Sequence, residues 1–484
     1  MIHEVLQKYE SVIGLEIHVQ LNTQSKAYCA DATAYGAAPN SQVSPISLGH
    51  PGTLPMVNEA VIEAAVKLGL ACKSDIRRVN EYARKNYFYA DLPKGYQITQ
   101  QDTPICNGGR ITIKDADGEP KEIGLTRIHM EEDSGKSIHD LDPFHTLVDL
   151  NRAGVPLLEI VSEPDFRNGQ EAYNYLTEMR KLVRYLDISD GNMEEGSLRC
   201  DVNISIRPKG QQAFGTKVEI KNLNSFRNVQ KAIDYEIVRQ AEVLAKGEPV
   251  VQQTRNFDAP SGKTVLLRAK EDAHDYRYFP EPDLQPVLVE QDYLERVKAQ
   301  LPPLPAELFT KYCQLGLSEY DATLITDSKE LAAYYESIIA HTDNYKAAAN
   351  WLMGSIKSHL NQLALDISEF SLSGATVAQL IKLVDQGKVS NTAASGDLFK
   401  ALLAQPDAQP EGLARELNLI QESDSEALRD LVEQALAKYP DKVEAYRNGK
   451  KGLHGLFMGE VMKLSRGKAD PKITQKLVTE YLEK

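Results

Sequence analysis

Glu16 and His18 stand two residues apart in the stretch Ser11–Leu21 (SVIGLEIHVQL), where Ile13, Leu15, Ile17, Val19 and Leu21 alternate with Glu16, His18 and Gln20. A period of two is strand geometry, and it puts the three polar side chains on one surface. Taken alone, the Glu-His pair fits a hydrated sheet face better than a binding site. Further acids change that balance. A second alternating stretch puts Arg127, His129 and Glu131 together and ends in Glu131-Glu132-Asp133, while Glu159 lies inside the apolar run PLLEIVS at 156–162. An ionised carboxylate buried in such a run is costly unless a cation, Arg or Lys compensates it. Carboxylate oxygens suit Mg²⁺, which commonly joins a few acids to nucleotide phosphates. The imidazole of His18 suits Mn²⁺ equally, or serves to position phosphate or water without touching a metal.

Neither GxxxxGK[ST] nor a strand-linked GxGxxG occurs, so a bound nucleotide must be held by cations and the sheet surface. Lys85 and Lys94 lie in the basic and aromatic segment RKNYFYADLPKGYQ at 84–97, and Arg152 just precedes the Glu159 run. Any single one of these is more often a solvated face or a salt-bridge partner. Two basic clusters near an acidic sheet are nevertheless the inventory of phosphoryl transfer, which depends on charge and positioning. Glu195, Arg199, Asp201 and Asn203, in EEGSLRCDVN at 194–203, either contact substrate or form a turn leading into a strand. Cys200 lies among them with no His in the segment to make a nucleophile pair.

The elements that must position these groups divide the chain in two. From Ser11 to about Arg268, short alternating segments separated by Gly, Pro and Asp-Gly turns predict an antiparallel sheet, with a hairpin around Asp117-Gly118. Two helices interrupt it. One runs between Asn168 and Leu186, with Asn168 and Glu171 as a capping-box-like start, and one runs from about Asn228 to Lys246 and is stopped by Gly247 and Pro249. After the elbow LPPLP at 301–305, helical periodicity replaces strand alternation, with a further break at Gln405–Pro410. The fold class is therefore α+β, with a sheet domain at 1–296 and two all-helical domains at 297–408 and 409–484.

Composition bounds the function. With 42% hydrophobic and 26% charged residues among 484, this is a globular composition. No apolar run approaches the ~20 residues needed to span a bilayer, and the N-terminus lacks the features of a signal peptide, so a cytoplasmic protein with no membrane contact is expected. Five scattered cysteines (Cys29, Cys72, Cys106, Cys200, Cys313) give no disulfide framework. The net charge of -14 argues against non-specific coating of nucleic acid, but residues 441–484 hold ten Lys/Arg against six Asp/Glu. A basic end on an acidic body suits one local contact with an anionic partner.

Long motifs in order along essentially the whole chain resemble the GatB family, the B components of the tRNA-dependent amidotransferases: VIGLEIHVQL at 12–21, RKNYFY at 84–89, KGYQI at 94–98, HMEEDSGK at 129–136, VDLNR at 148–152, EEGSLRCDVN at 194–203, KNLNSF at 221–226 and DYRYFPEPD at 275–283, with NWLMG at 350–354 and GLFMGEVMK at 455–463 in the helical part. The resemblance implies a sheet cradle of glutamine synthetase-like type and an ATP-dependent carbon–nitrogen ligase with glutamine as amide donor. In it, the A component, a glutaminase of amidase type, releases ammonia. The B component phosphorylates the side-chain carboxylate of Glu-tRNA(Gln) or Asp-tRNA(Asn), and ammonia displaces the phosphate; a C component completes the heterotrimer. By motif, Glu16, His18, Glu131 and Glu159 surround Mg²⁺ and the phosphates, Lys85 lies where ammonia enters, and the tail binds tRNA. Some members carry a four-cysteine zinc site where this chain keeps only Cys29, so no structural zinc is expected. The rival readings are a non-catalytic tRNA-binding assembly protein and a self-sufficient glutamine-using ligase. The latter has no amidase-type Ser-Lys pattern or Cys-His pair to support it.

Overall fold

The computed structural model describes residues 2–269, 275–421, 425–465 and 469–483. It divides into two compact units, Met1–Pro305 and Ala306–Lys484. The first is built on a ten-stranded sheet: β1 Tyr9–Gln20, β2 Asp75–Ile76, β3 Cys106–Asn107, β4 Arg110–Lys114, β5 Pro120–Glu132, β6 Pro156–Ser162, β7 Leu198–Pro208, β8 Val218–Lys221, β9 Gln253–Asp258 and β10 Lys263–Ala269. The order across the sheet is β10-β9-β8-β7-β1-β6-β5-β3-β2, with β4 paired to β5 as the expected hairpin. The pairing is antiparallel apart from β8 and β9, which run parallel. This mixed α+β architecture with a mainly antiparallel sheet is the one expected.

Alternation along β1 decides which face carries the core. Ile13, Leu15, Ile17 and Val19 are buried with the helices α1 Gly169–Tyr185 and α2 Phe226–Ala245, leaving Glu16, His18 and Gln20 on the other face. The apolar stripe Ala172, Tyr175, Leu176, Met179 and Val183 holds α1 to that core. Its cap is the one read from sequence, because the Asn168 Oδ1 accepts from the Glu171 backbone N–H at 2.9 Å. Asn168→Ala is therefore expected to destabilise the first unit by about 1 kcal/mol, read as a lower urea midpoint. Helix α2 begins two residues before Asn228 because Ser225 caps it, and it ends before Gly247, whose φ of 77° takes the chain out of the helix.

A small three-stranded sheet joins Phe279–Pro280, Ala83–Asn86 and Tyr96–Thr99. The first unit continues past residue 296 because the helix Gln291–Ala299 buries Val297 in the same core. The second unit is helical. Pro410 starts the helix Pro410–Glu416 after the break, and Glu411 on it pairs with Lys388 at 2.9 Å. The tail beyond has its own core around Leu428, Val432, Phe457, Val461 and Val478. Among the described residues no helix is long and apolar enough to cross a membrane.

Candidate active site

Strand register assembles the site. His18 on β1 lies opposite Glu159 on β6, and Glu159 lies opposite His129 on β5, so three strands put His18, Glu159 and His129 in one row on the face away from the helices. One row along stand Glu16 and, across β1, Asp201 on β7; in the other direction stand Gln20 and Glu131. Side chains then close on one point. The Nε2 of His18 is 3.3 Å from a Glu159 oxygen, 3.5 Å from Glu131 and 3.8 Å from Glu16. The Nε2 of His129 lies 3.5 Å from Glu159 and 3.8 Å from Glu131.

The charges explain one another. Burial opposes a proton on His18, but the hydrogen bond and charge of Glu159, with Glu131 and Glu16 beside it, outweigh burial and push the ring up to about 9. Burial alone would raise Glu159; the His129 and His18 rings and Lys85 hold it below the usual carboxylate range. Glu16 goes the other way, raised by burial and by the Glu159 carboxylate. A cation bound among these acids would take the place of the proton on His18 and lower the repulsion that raises Glu16. That donor set, of carboxylates and imidazoles, fits a divalent cation.

Lys85 comes from the small sheet. Its Nζ sits 5.1 Å from the Tyr276 ring centre and 5.9 Å from that of Tyr87, and the charges of Glu131 and Glu159 raise its pKa against the effect of burial. Beside it opens a cleft of about 570 Å³ lined by Lys85, Tyr87, Tyr89, Lys221, Arg268 and Tyr276, together with Leu267. Lys221 reaches Asp201 at 2.5 Å.

Comparison with known proteins matches this geometry to a family. Residues 11–295 match the profile described as GatB/GatE catalytic domain, and residues 333–482 match one described as GatB domain. The B component of the aspartyl/glutamyl-tRNA(Asn/Gln) amidotransferase of Gloeothece citriformis is 50% identical over 99% of both chains. That of Rippkaea orientalis is 49% identical over 98% of both, and that of Bdellovibrio bacteriovorus 47% identical over 98% of this chain and 99% of its own. The chain belongs to the GatB family of aspartyl/glutamyl-tRNA amidotransferases.

Within this amidotransferase component, the other residues singled out from sequence fall in four places. Arg199, directly opposite His18, donates to Asp133 at 2.9 Å, and Asp201 follows it on the same face. Asn203 lies one row further along, opposite Gly14. Arg152 donates to the backbone carbonyls of Ser134 and Gly135 and so braces the turn after β5. Lys94 is not in the cluster. It pairs with Glu132, whose side chain points away from the Glu131 face, and it lines a separate small pocket with Tyr28 and Tyr96. Glu195 is exposed in the turn before β7. Cys200 is buried and its thiol is pushed far up, which leaves no nucleophile there.

His129 was missed among the candidate ligands, although its place on the Arg127–Glu131 face was readable. In the 25–49 loop the carboxylate of Asp31 gathers the groups around Cys29: it accepts from the Ser44 N–H at 2.9 Å, from the Cys29 thiol at 3.3 Å and from the Ser47 hydroxyl.

Proposed function

We propose that this chain activates the side-chain carboxylate of Glu-tRNA(Gln), Asp-tRNA(Asn) or both by transferring the γ-phosphoryl of ATP to it, so that ammonia can displace phosphate and leave Gln-tRNA(Gln) or Asn-tRNA(Asn) for translation. The observation that carries this reading is the row His18–Glu159–His129, with Glu16 and Glu131 closing on it from the same face. Glu16, His18, Glu131 and Glu159 hold Mg²⁺. When bound, the ion supplies charge neutralisation at the phosphates.

The remaining work falls to this chain's own side chains. A carboxylate resists attack by ammonia until one oxygen becomes a leaving group, and binding it beside ATP removes much of the entropic barrier. Arg199 and Asp201, next to the cluster, orient phosphate and acyl group, with Asn203 one row beyond. Lys85 stays protonated under the charges of Glu131 and Glu159 and offers hydrogen bonds where ammonia arrives. Arg152 acts through the turn it braces, Glu195 meets the nucleotide or acyl group only at the margin of the site, and Lys94, paired with Glu132 on the other face, takes no direct part.

The sheet unit is read as a glutamine synthetase-like cradle over residues 1–296, followed by a helical domain at 297–408 and a tRNA-binding tail at 409–484 whose surplus of Lys and Arg meets the RNA backbone. Ammonia comes from the amidase-type A component, with the C component in the same cytoplasmic heterotrimer. The 25–49 loop takes no structural zinc, since the Asp31 carboxylate already gathers its polar groups. A non-catalytic assembly protein would have no use for so repulsive a set of acids.

The deciding experiment is conversion of Glu-tRNA(Gln) with ATP, using glutamine with the partner components and free ammonia without the glutaminase. Turnover with ammonia alone assigns the kinase step to this chain. Failure with both nitrogen sources would overturn the reading.

A further inference from the structure

Resting on the phosphoryl-transfer reading above, we infer that Arg127 is a further catalytic residue, whose guanidinium holds the phosphoryl group as it passes from ATP to the carboxylate. Arg127 stands on β5 two residues before His129, on the face that carries the cluster. It lies opposite Val161 of β6, which in turn lies opposite Glu16 of β1, so it occupies the row next to His18, Glu159 and His129.

What singles it out is a missing acceptor. Its Nη2 is 4.0 Å from one oxygen of Glu159, too far for a hydrogen bond, and the other oxygen of Glu159 faces the two imidazoles at 3.3 and 3.5 Å. Its Nε is buried and has no hydrogen-bond partner among the described residues. Val161, which separates it from Glu16 in the row, has no polar side-chain atom to offer. Arg199 and Lys221, on the same face, are already engaged: Arg199 donates to Asp133 at 2.9 Å, and Lys221 pairs with Asp201 and Glu219. A guanidinium carries several N–H donors and keeps its proton, so a side chain only 34% exposed and without acceptors is costly until an anion completes it.

The planar fork of donors matches the oxygens of a phosphoryl group. Lys85 comes to the cluster from the small sheet, beside Glu131, whereas Arg127 stands on the other side of His129 along β5. The group in transfer thus meets a cation from each side. In that step the bond between the γ-phosphorus and the bridging oxygen breaks, its electron pair leaves with ADP, and an oxygen of the carboxylate forms the new bond to phosphorus. No proton moves, and Arg127 stays charged throughout. Its hold tightens as negative charge spreads over the equatorial oxygens.

The test uses the full-length protein with Glu-tRNA(Gln), ATP and free ammonia. Arg127→Ala should lower kcat by about 10³-fold and change KM for ATP by less than about threefold, because the contact is made with the group in transfer. Added guanidinium ion, at concentrations that leave the unaltered protein folded, should raise the rate of Arg127→Ala by about tenfold or more and leave Glu159→Gln unchanged. A variant that had merely lost its fold would show no such rescue. A rate within about tenfold of the unaltered protein, a loss confined to KM, or a loss that guanidinium does not restore overturns the inference and leaves the proposed function standing. No turnover of the unaltered protein, either with ammonia or with glutamine and the partner components, overturns both.

Discussion

Glu159→Gln is expected to slow ATP-dependent amidation by about 10³-fold, the scale on which one preorganised charged partner acts at a reacting centre. Glu159 lies nearest both imidazoles, at 3.3 and 3.5 Å, and 4.0 Å from Arg127, at the centre of the row. The amide keeps the shape and one oxygen but removes the charge. That separates electrostatics from packing. Affinity for tRNA should be unchanged, because the basic tail lies in the other compact unit. The measurement is single-turnover formation of Gln-tRNA(Gln) with saturating ATP and ammonia, alongside tRNA binding by the same preparation. A rate within about tenfold of the unaltered protein would remove Glu159 from the chemistry and favour a protein that merely assembles the complex.

What could be read beforehand follows from how each feature is encoded. Alternation is local, so the shared face of Glu16 and His18, and that of Arg127, His129 and Glu131, were visible in runs of a few residues. Local capping likewise gave α1 its start. Register is not local. That Glu159 falls between His18 and His129 depends on pairing β6 both with β5 and with β1, the latter more than a hundred residues away, and a slip of one residue would have turned it to the core. Lys94 illustrates the limit from the other side: near in sequence to Lys85, it pairs with Glu132, whose side chain leaves β5 on the face opposite Glu131. A basic and aromatic segment told which groups were available, not which side of the sheet each would reach. Similarly, the elbow at 301–305 was legible, but nothing local revealed that Val297 before it belongs to the first core.

Asp133 is where the site borders on stability. By alternation it shares the face of Glu131, and it is buried at the end of β5. Its carboxylate accepts from Gln20 of β1 at 2.8 Å and from Arg199 of β7 at 2.9 Å, with Arg152 3.6 Å away. Its backbone exchanges hydrogen bonds with Val155 and Gly154, the approach to β6. One residue thus joins the strands that carry His18 and Arg199, through its side chain, to the approach to the strand that carries Glu159, through its backbone. Burial would raise its pKa, but Arg199 and Arg152 together with Gln20 hold the carboxyl below its usual range. Asp133→Asn removes the nearest counter-charge from two guanidinium groups, and it should destabilise the first unit by about 3 kcal/mol, at the low end for a broken buried pair because both arginines are partly exposed. The effect has a pH signature. A group with a depressed folded pKa contributes stability above its unfolded value, about 3.9 for Asp, and loses it as the pH falls through the folded value. The gap in urea midpoint between the two proteins should therefore be full near neutral pH and shrink below about pH 4. A gap that stays constant down to about pH 3 would mean that Asp133 acts through shape alone, and the charge-based account of this end of the site would fail.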